Sequence, residues 1–181
     1  MQPEWLSEAK AVDTAVYGAI AAGETPSLDV AMRALSRAAD RSKLWFAVAA
    51  ALVVLGGPGG RLAARKGLVS LGIASGFANL VAKPLSARGR PARNEVEEGV
   101  ASRYVQMPRS SSFPSGHAAS AFAFASGAAS AQPMLSAPLR VLATLVAYSR
   151  VHTGVHYPAD VLAGTFIGVS AAELADHLLD R

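Results

Sequence analysis

The chain has 181 residues, enough for one domain, and no break in composition asks for two. Cysteine is absent, which excludes disulfides and thiolate metal sites, and 51% of the residues are hydrophobic although only 7% are aromatic. Seventeen Lys and Arg against 13 Asp and Glu give a net charge of +4, compatible with nucleic acid, an anionic membrane surface or a phosphate-bearing substrate.

The first ten residues carry Glu4 and Glu8 where a secretory signal carries positive charge, and no long apolar core follows, so a soluble secreted enzyme is not expected. Trp5, Ala9, Val12, Val16 and Ala19 form a weak apolar stripe. Thr25-Pro26-Ser27-Leu28-Asp29 reads as a helix start, with proline at the first helical position. From there Leu28, Ala31, Met32, Leu35, Ala38 and Ala39 share one face, and Arg33, Arg37 and Arg41 recur at i, i+4 and i+8 on another. Residues 1–43 are therefore expected to form amphipathic interfacial helices in the headgroup layer, the alternative being a solvated helix packed on the rest of the chain.

Five uncharged runs follow: Leu44 to Gly60, Gly67 to Ala82, Ser110 to Leu139 with its helix from about His117 to Leu135, Val141 to Ser149, and Val161 to Ala172. A bilayer core of ~30 Å needs about 20 mostly apolar residues. The first three runs approach that length; the last two span only if flanking polar groups snorkel or face the bundle interior. The prediction is an all-α integral-membrane helical bundle of about five spans (44–181) behind the N-terminal interfacial helices, in a single domain. Gly72/Gly76 and Gly164/Gly168 are small-xxx-small pairs of the kind that pack helix on helix in lipid.

Polar residues gather at the ends of these runs. One cluster runs from Lys83 through Arg88, Arg90, Arg93, Arg103 and Arg109 to Pro114-Ser115-Gly116-His117; Glu95, Glu97 and Glu98 in its middle read as a solvated loop face. The other runs from Ser149-Arg150 through His152 and His156 to Asp160. In an up-and-down bundle the connections after the second and fourth spans emerge on the same side, so the two clusters are expected to meet. Lys83, Arg90 and Arg150 would then bring three positive charges to one pocket. Three cations can hold a phosphate monoester of charge about −1.5 to −2, and can stabilise the added charge of a transition state without magnesium. Gly116 opens a helix whose N–H groups point at anions, and Ser115 adds a hydroxyl. His156 and Asp160, four apart, allow the carboxylate to orient one ring nitrogen while the other attacks phosphorus; His117 would protonate the leaving oxygen.

Three blocks carry a family resemblance. Lys83-Pro84-Leu85-Ser86-Ala87-Arg88-Gly89-Arg90-Pro91 matches K-x6-RP, Pro114-Ser115-Gly116-His117 matches PSGH, and Ser149-Arg150 with His156 and Asp160 matches SR-x5-H-x3-D. Together they resemble the type-2 phosphatidic-acid phosphatase superfamily, which includes lipid phosphatases, bacterial acid phosphatases and vanadium haloperoxidases. The resemblance implies His156 as the phosphorylated nucleophile, Asp160 as its partner and His117 as the general acid and then base. It implies Lys83, Arg90 and Arg150 as the phosphate clamp with Ser115 and Gly116 as further donors, and neither cofactor nor metal. Membrane members usually have six spans, where five are read here.

The leading expectation is a phosphatase of a membrane lipid in a bacterial plasma membrane, with the bilayer as its surroundings. The compact size is similar to that of actinobacterial members acting on decaprenylphosphoryl-5-phosphoribose or polyprenyl pyrophosphate; phosphatidic acid, phosphatidylglycerophosphate and diacylglycerol pyrophosphate are alternatives. A soluble acid phosphatase or vanadate-dependent oxidant on the same scaffold, and a non-catalytic anionic-lipid-binding membrane protein, are the rivals. A metal held by His152, His156 and Asp160 is disfavoured because Gly154 and Pro158 interrupt their helix. His152 reads as a supporting histidine and His177 as a surface one. Nucleic acid is set aside for want of aromatics among the basic residues. Basic residues outside the clamp number eight on the side of the active-site loops and five on the other, leaning the site toward the cytoplasm. Most family members face outward, so the side is left open, as is the oligomeric state.

Overall fold

The computed structural model describes residues 3–93 and 103–181; Glu95, Glu97 and Glu98 lie outside them. Among the described residues the chain is all-helical. Helices α1 (Glu4–Ala21) and α2 (Pro26–Ala38) are followed by a short turn, Asp40–Ser42, and by α3 (Lys43–Leu55). Helix α4 (Gly57–Leu85), α5 (Gly116–Ala131), α6 (Ser136–His152) and α7 (Pro158–Leu179) complete the order.

The helix starts follow local chemistry. Pro26 stands at the first position of α2 and Pro158 at that of α7, where a missing N–H costs nothing. The break between α3 and α4 falls inside the run Leu44 to Gly60, not at its end. Gly57 adopts φ +58°, and a Cβ on Gly56 would lie 2.7 Å from the carbonyl oxygen of Leu52, so only glycine closes this turn. The second run is likewise part of a longer helix, because Arg61, Arg65 and Lys66 belong to α4.

Helix α5 lies at the centre, packed by α4, α6 and α7. Its buried face is mostly alanine, with Phe124 against Trp45 of α3 at a centroid distance of 5.3 Å. Small residues let backbones approach closely. A Cβ on Gly168 would lie 2.5 Å from the carbonyl oxygen of Ala119, and one on Gly164 would collide with that of Ser115. The Gly164/Gly168 pair thus packs α7 on α5 as expected. Gly72 and Gly76 do not: nothing lies within 4 Å of a Cβ at either, so that face of α4 is open. Near the start of α4, Lys66 pairs with Asp176 (3.3 Å) and Asp180 (2.8 Å) at the end of α7. The two helices are antiparallel, and the opposite end collects Lys83, Gly116, Arg150 and Asp160.

Two helices, Gly57–Leu85 and Pro158–Leu179, are long and apolar enough to cross a membrane. Helices α3, α5 and α6 have 13, 16 and 17 residues, roughly 20–26 Å at 1.5 Å per residue. Val54, Leu55, Leu80, Leu162 and Phe166 are exposed, an apolar exterior that suits lipid better than water. The N-terminal helices turn opposite faces to those the apolar pattern suggested. Trp5, Val12 and Val16 are exposed while Asp13 and Tyr17 are buried; in α2 the buried face is Asp29, Met32 and Ser36. Polar groups, not the apolar stripe, tie this region to the bundle.

Candidate active site

The two polar clusters meet. Arg90, in the loop after α4, donates from Nη1 to the carbonyl oxygen of Val155 (2.6 Å), and the same atom lies 3.4 Å from Nε2 of His156. Its Nε and Nη2 donate to the carbonyl oxygens of Ser110 (3.0 Å) and Ser111 (3.1 Å), so the fork is fixed on two sides. His156 is buried in the turn after α6, where the N–H groups of Val155 and His156 both donate to the carbonyl oxygen of Arg150 (3.1 and 3.2 Å). Gly154 makes that turn possible with φ +68°.

Nδ1 of His156 lies 3.5 Å from Oδ2 of Asp160 and makes no well-aligned hydrogen bond. The contact orients the ring electrostatically rather than through a tight bond. Because Arg90 can only donate, the nitrogen facing it carries the lone pair and the ring proton faces Asp160. Burial pushes His156 down to about 4; Asp160 opposes this, while the charges of Arg90 and Arg150 add to it. The imidazole is therefore neutral near neutral pH. Asp160, fully buried in the first turn of α7, accepts from Ser112 Oγ, from the Tyr157 N–H (2.9 Å) and from Arg88 Nη1 (2.8 Å).

The other side of the site is built on three helix ends. Phe77–Ala82 of α4 is π-helical, a rare geometry that recurs at functional sites. It carries Asn79, whose Oδ1 accepts from Lys83 Nζ at 2.8 Å. A Cβ on Gly116 would lie 3.3 Å from that ammonium, so the glycine permits the close approach of Lys83 to the start of α5. Ser115 caps α5, its Oγ accepting from the Ala118 N–H at 3.4 Å, and its own N–H donates to the carbonyl oxygen of Asp160 (2.9 Å). His117, one residue into α5, has Nε2 3.0 Å from Oδ1 of Asp40. Arg150, buried near the end of α6, donates to Ser36 Oγ and lies 3.8 Å from Asp40, while its Nε has no partner. All eight residues singled out in the sequence thus lie at one end of the bundle: Lys83, Arg90, Ser115, Gly116, His117, Arg150, His156 and Asp160.

Sequence reasoning missed the acidic and hydroxyl groups that hold them. Asp13 of α1 pairs with Arg88 and accepts from the Ala159 N–H (2.8 Å) at the start of α7. Arg88 also stacks 4.6 Å from the Tyr157 ring. Asp29 of α2 lies 2.7 Å from His152 Nε2 and 3.3 Å from Arg103, which donates as well to the carbonyl oxygens of Ile20 and Ala21 at the end of α1. His152 is thus a structural histidine, and it and His156 address different carboxylates instead of converging on one metal position. Arg93 donates to the carbonyl oxygens of Thr153 and Gly154. His177 is exposed beside Arg181. An acidic residue on the buried face of each N-terminal helix was the available signal.

Comparison with known proteins agrees with this arrangement. The PAP2 superfamily profile matches residues 64–179, and the chain belongs to that superfamily. It is 40% identical over 76 residues to decaprenylphosphoryl-5-phosphoribose phosphatase of Mycobacterium tuberculosis, in strains CDC 1551 / Oshkosh and ATCC 25618 / H37Rv. That match spans 41% of this chain and 41% of the relative's length. The fold is similar to that of the first transmembrane PAP2 type phosphatidylglycerolphosphate phosphatase from Bacillus subtilis, with TM-score 0.70 and 23% identity over 96% of this chain and 87% of that one. It is equally similar to Aquifex aeolicus LpxE, with TM-score 0.71 and 23% identity over 93% and 94%. Both structural likenesses speak to the fold, and the family is one of phosphatases.

Proposed function

We propose that this chain is a lipid phosphatase of the bacterial plasma membrane that works through a phosphohistidine on His156 and needs no metal ion. The observation that carries the reading is the lone-pair nitrogen of a neutral, buried imidazole 3.4 Å from the guanidinium of Arg90. A phosphate held by Arg90, Lys83 and Arg150 lies within reach of that nitrogen, with Ser115 and the N–H groups at Gly116 supplying further donors. Nε2 attacks phosphorus, forming an N–P bond as the bond from phosphorus to the lipid oxygen breaks, and His117 protonates the departing oxygen. Water then attacks phosphorus and gives its proton to His117 as the N–P bond breaks. The sum is ester plus water to alcohol plus phosphate. Asp160 balances the charge that His156 gains in the first step.

The single domain spans residues 1–181. Residues 44–181 form the membrane bundle of about five spans, and the N-terminal helices lie at the interface with their exposed apolar residues toward lipid. A phosphate or pyrophosphate on a polyprenyl carrier of a cell-wall precursor is the favoured substrate, supported by the partial match to the mycobacterial phosphatase. A glycerolipid phosphate is the alternative. The pure protein, given a panel of polyprenyl and glycerolipid phosphates with chelator present, should release phosphate, and His156→Ala should abolish release while the fold survives. Full activity in that variant would remove the mechanism, and silence on every lipid would favour a protein that only binds anionic lipid.

A further inference from the structure

The clamp does not account for all the positive charge at this end of the molecule. A small cavity of about 150 Å³ lies between Lys83, Asn79, Gly116 and His117. Beside it, sharing His117 and Arg41 as walls, is a second cavity of about 820 Å³ that reaches Arg150. The second is within the range of a small-molecule site, roughly 300–1,000 Å³, and is far larger than one phosphate needs. Arg37, Arg41, Lys43 and Arg109 line it, against a single carboxylate, Asp40, which is already engaged with His117 and Arg150. Its cations come from two segments far apart in sequence, the turn after α2 and the loop before α5, so their convergence is a product of the fold.

The backbone gives an independent sign. Arg41 and Ser42 both adopt left-handed conformations, φ 53° and 60°. Neither residue is glycine, and two such residues in succession cost on the order of 1–3 kcal/mol each, a strain that clusters where a ligand site demands it. The turn directs Asp40 at His117 and leaves Arg41 on the wall common to both cavities.

We propose that this cavity is a second anion subsite, which selects lipids whose headgroup carries a phosphodiester or second phosphate beside the phosphate to be removed. The proposal rests on the phosphatase reading and narrows it: a lipid bearing only a monoester would leave Arg37, Arg41, Lys43 and Arg109 without a counter-charge. Arg41 and Arg109 are the groups placed to grip the second anion.

The test uses two lipids with the same anchor in detergent micelles, phosphatidic acid with a monoester alone and phosphatidylglycerophosphate with a monoester and a phosphodiester. The wild type should favour the second in kcat/KM. The double variant R41Q/R109Q should lower that preference about tenfold, the loss of one charge-assisted contact. R65Q/R140Q, which removes the same charge at exposed positions elsewhere, should leave the ratio as it was. Equal effects of the two double variants, or an unchanged ratio in R41Q/R109Q, would overturn the subsite. Binding of both lipids to His156→Ala protein, with and without R41Q/R109Q, reads the same ratio without turnover. Absence of hydrolysis by the wild type would thus contradict the phosphatase reading alone, while an unaltered binding ratio would contradict the subsite alone.

Discussion

Nε2 of His117 lies 3.0 Å from Oδ1 of Asp40, a residue 77 positions earlier, in the turn that joins the N-terminal helices to the bundle. The hydrogen bond to His117 is the main reason Asp40 is held below its ordinary carboxylate value, so the group stays ionised through the neutral range. The same carboxylate lies 3.8 Å from Arg150. It orients the proposed general acid and one arm of the clamp together. Asp40→Asn should lower kcat about tenfold, the cost of one charge-assisted hydrogen bond, with the protein still folded, and Asp40→Glu should recover part of it. Steady-state kinetics on the three proteins measures this; an unchanged kcat in Asp40→Asn would assign the contact no role in the reaction.

Arg88 links the N-terminal helices to the partner of the proposed nucleophile, bridging Asp13 and the fully buried Asp160. Removing one member of a buried pair leaves the other charge uncompensated, typically at ~3–5 kcal/mol. Ser112 and the Tyr157 N–H remain on Asp160, so the smaller end of that range applies. Arg88→Ala is expected to lower the melting temperature and to reduce kcat at least tenfold with little change in KM. Equal stability and kcat would show that Asp160 holds His156 without it.

The burial of His156 has a consequence for pH. Its folded value, about 4, lies below the ordinary ~6.5 of an unfolded histidine, so the unfolded chain takes up the proton first as pH falls. The stability attached to this neutral ring is intact above about 6.5 and is lost progressively between there and about 4. Chemical-shift titration of the His156 ring should give a midpoint near 4. A midpoint near 6.5 would mean an open, solvated ring.

Glycine at 164 is required by the Ser115 carbonyl, whereas glycine at 72 faces open space. Gly164→Ala should push the turn before α5 away from α7, destabilising the protein by about 1–3 kcal/mol and cutting activity. Gly72→Ala should change neither, or should stabilise slightly through helix propensity. Denaturation and activity assays on the two variants distinguish these outcomes.

Much of the bundle and the site could be read from the residues. Lys83, Arg90, His117, Arg150, His156 and Asp160 stand at the ends of apolar runs, and alternation of helices alone brings those ends to one side. Helix limits were less legible, because an apolar run stops at a charge and a helix need not: α4 begins at Gly57 and carries Arg61, Arg65 and Lys66 within it. The part played by the first 43 residues was misread because apolar residues were taken to mark the packed face. In α1 and α2 the buried face is marked by Asp13, Asp29 and Ser36, whose partners Arg88, His152 and Arg150 lie 75 to 123 positions away. No local pattern encodes such a pairing. Gly72/Gly76 and Gly164/Gly168 share one motif and differ only in what the fold sets opposite them.

The most direct measurement of the central claim is to quench the protein within the first turnovers on a phosphate-labelled lipid and locate the label. A phosphoramidate is stable in base and labile in acid, and the account predicts a label with that behaviour on His156, absent from His156→Ala and accumulating in His117→Ala, where the second step lacks its base. Label on any other side chain, or phosphate release by His156→Ala at the wild-type rate, would contradict it.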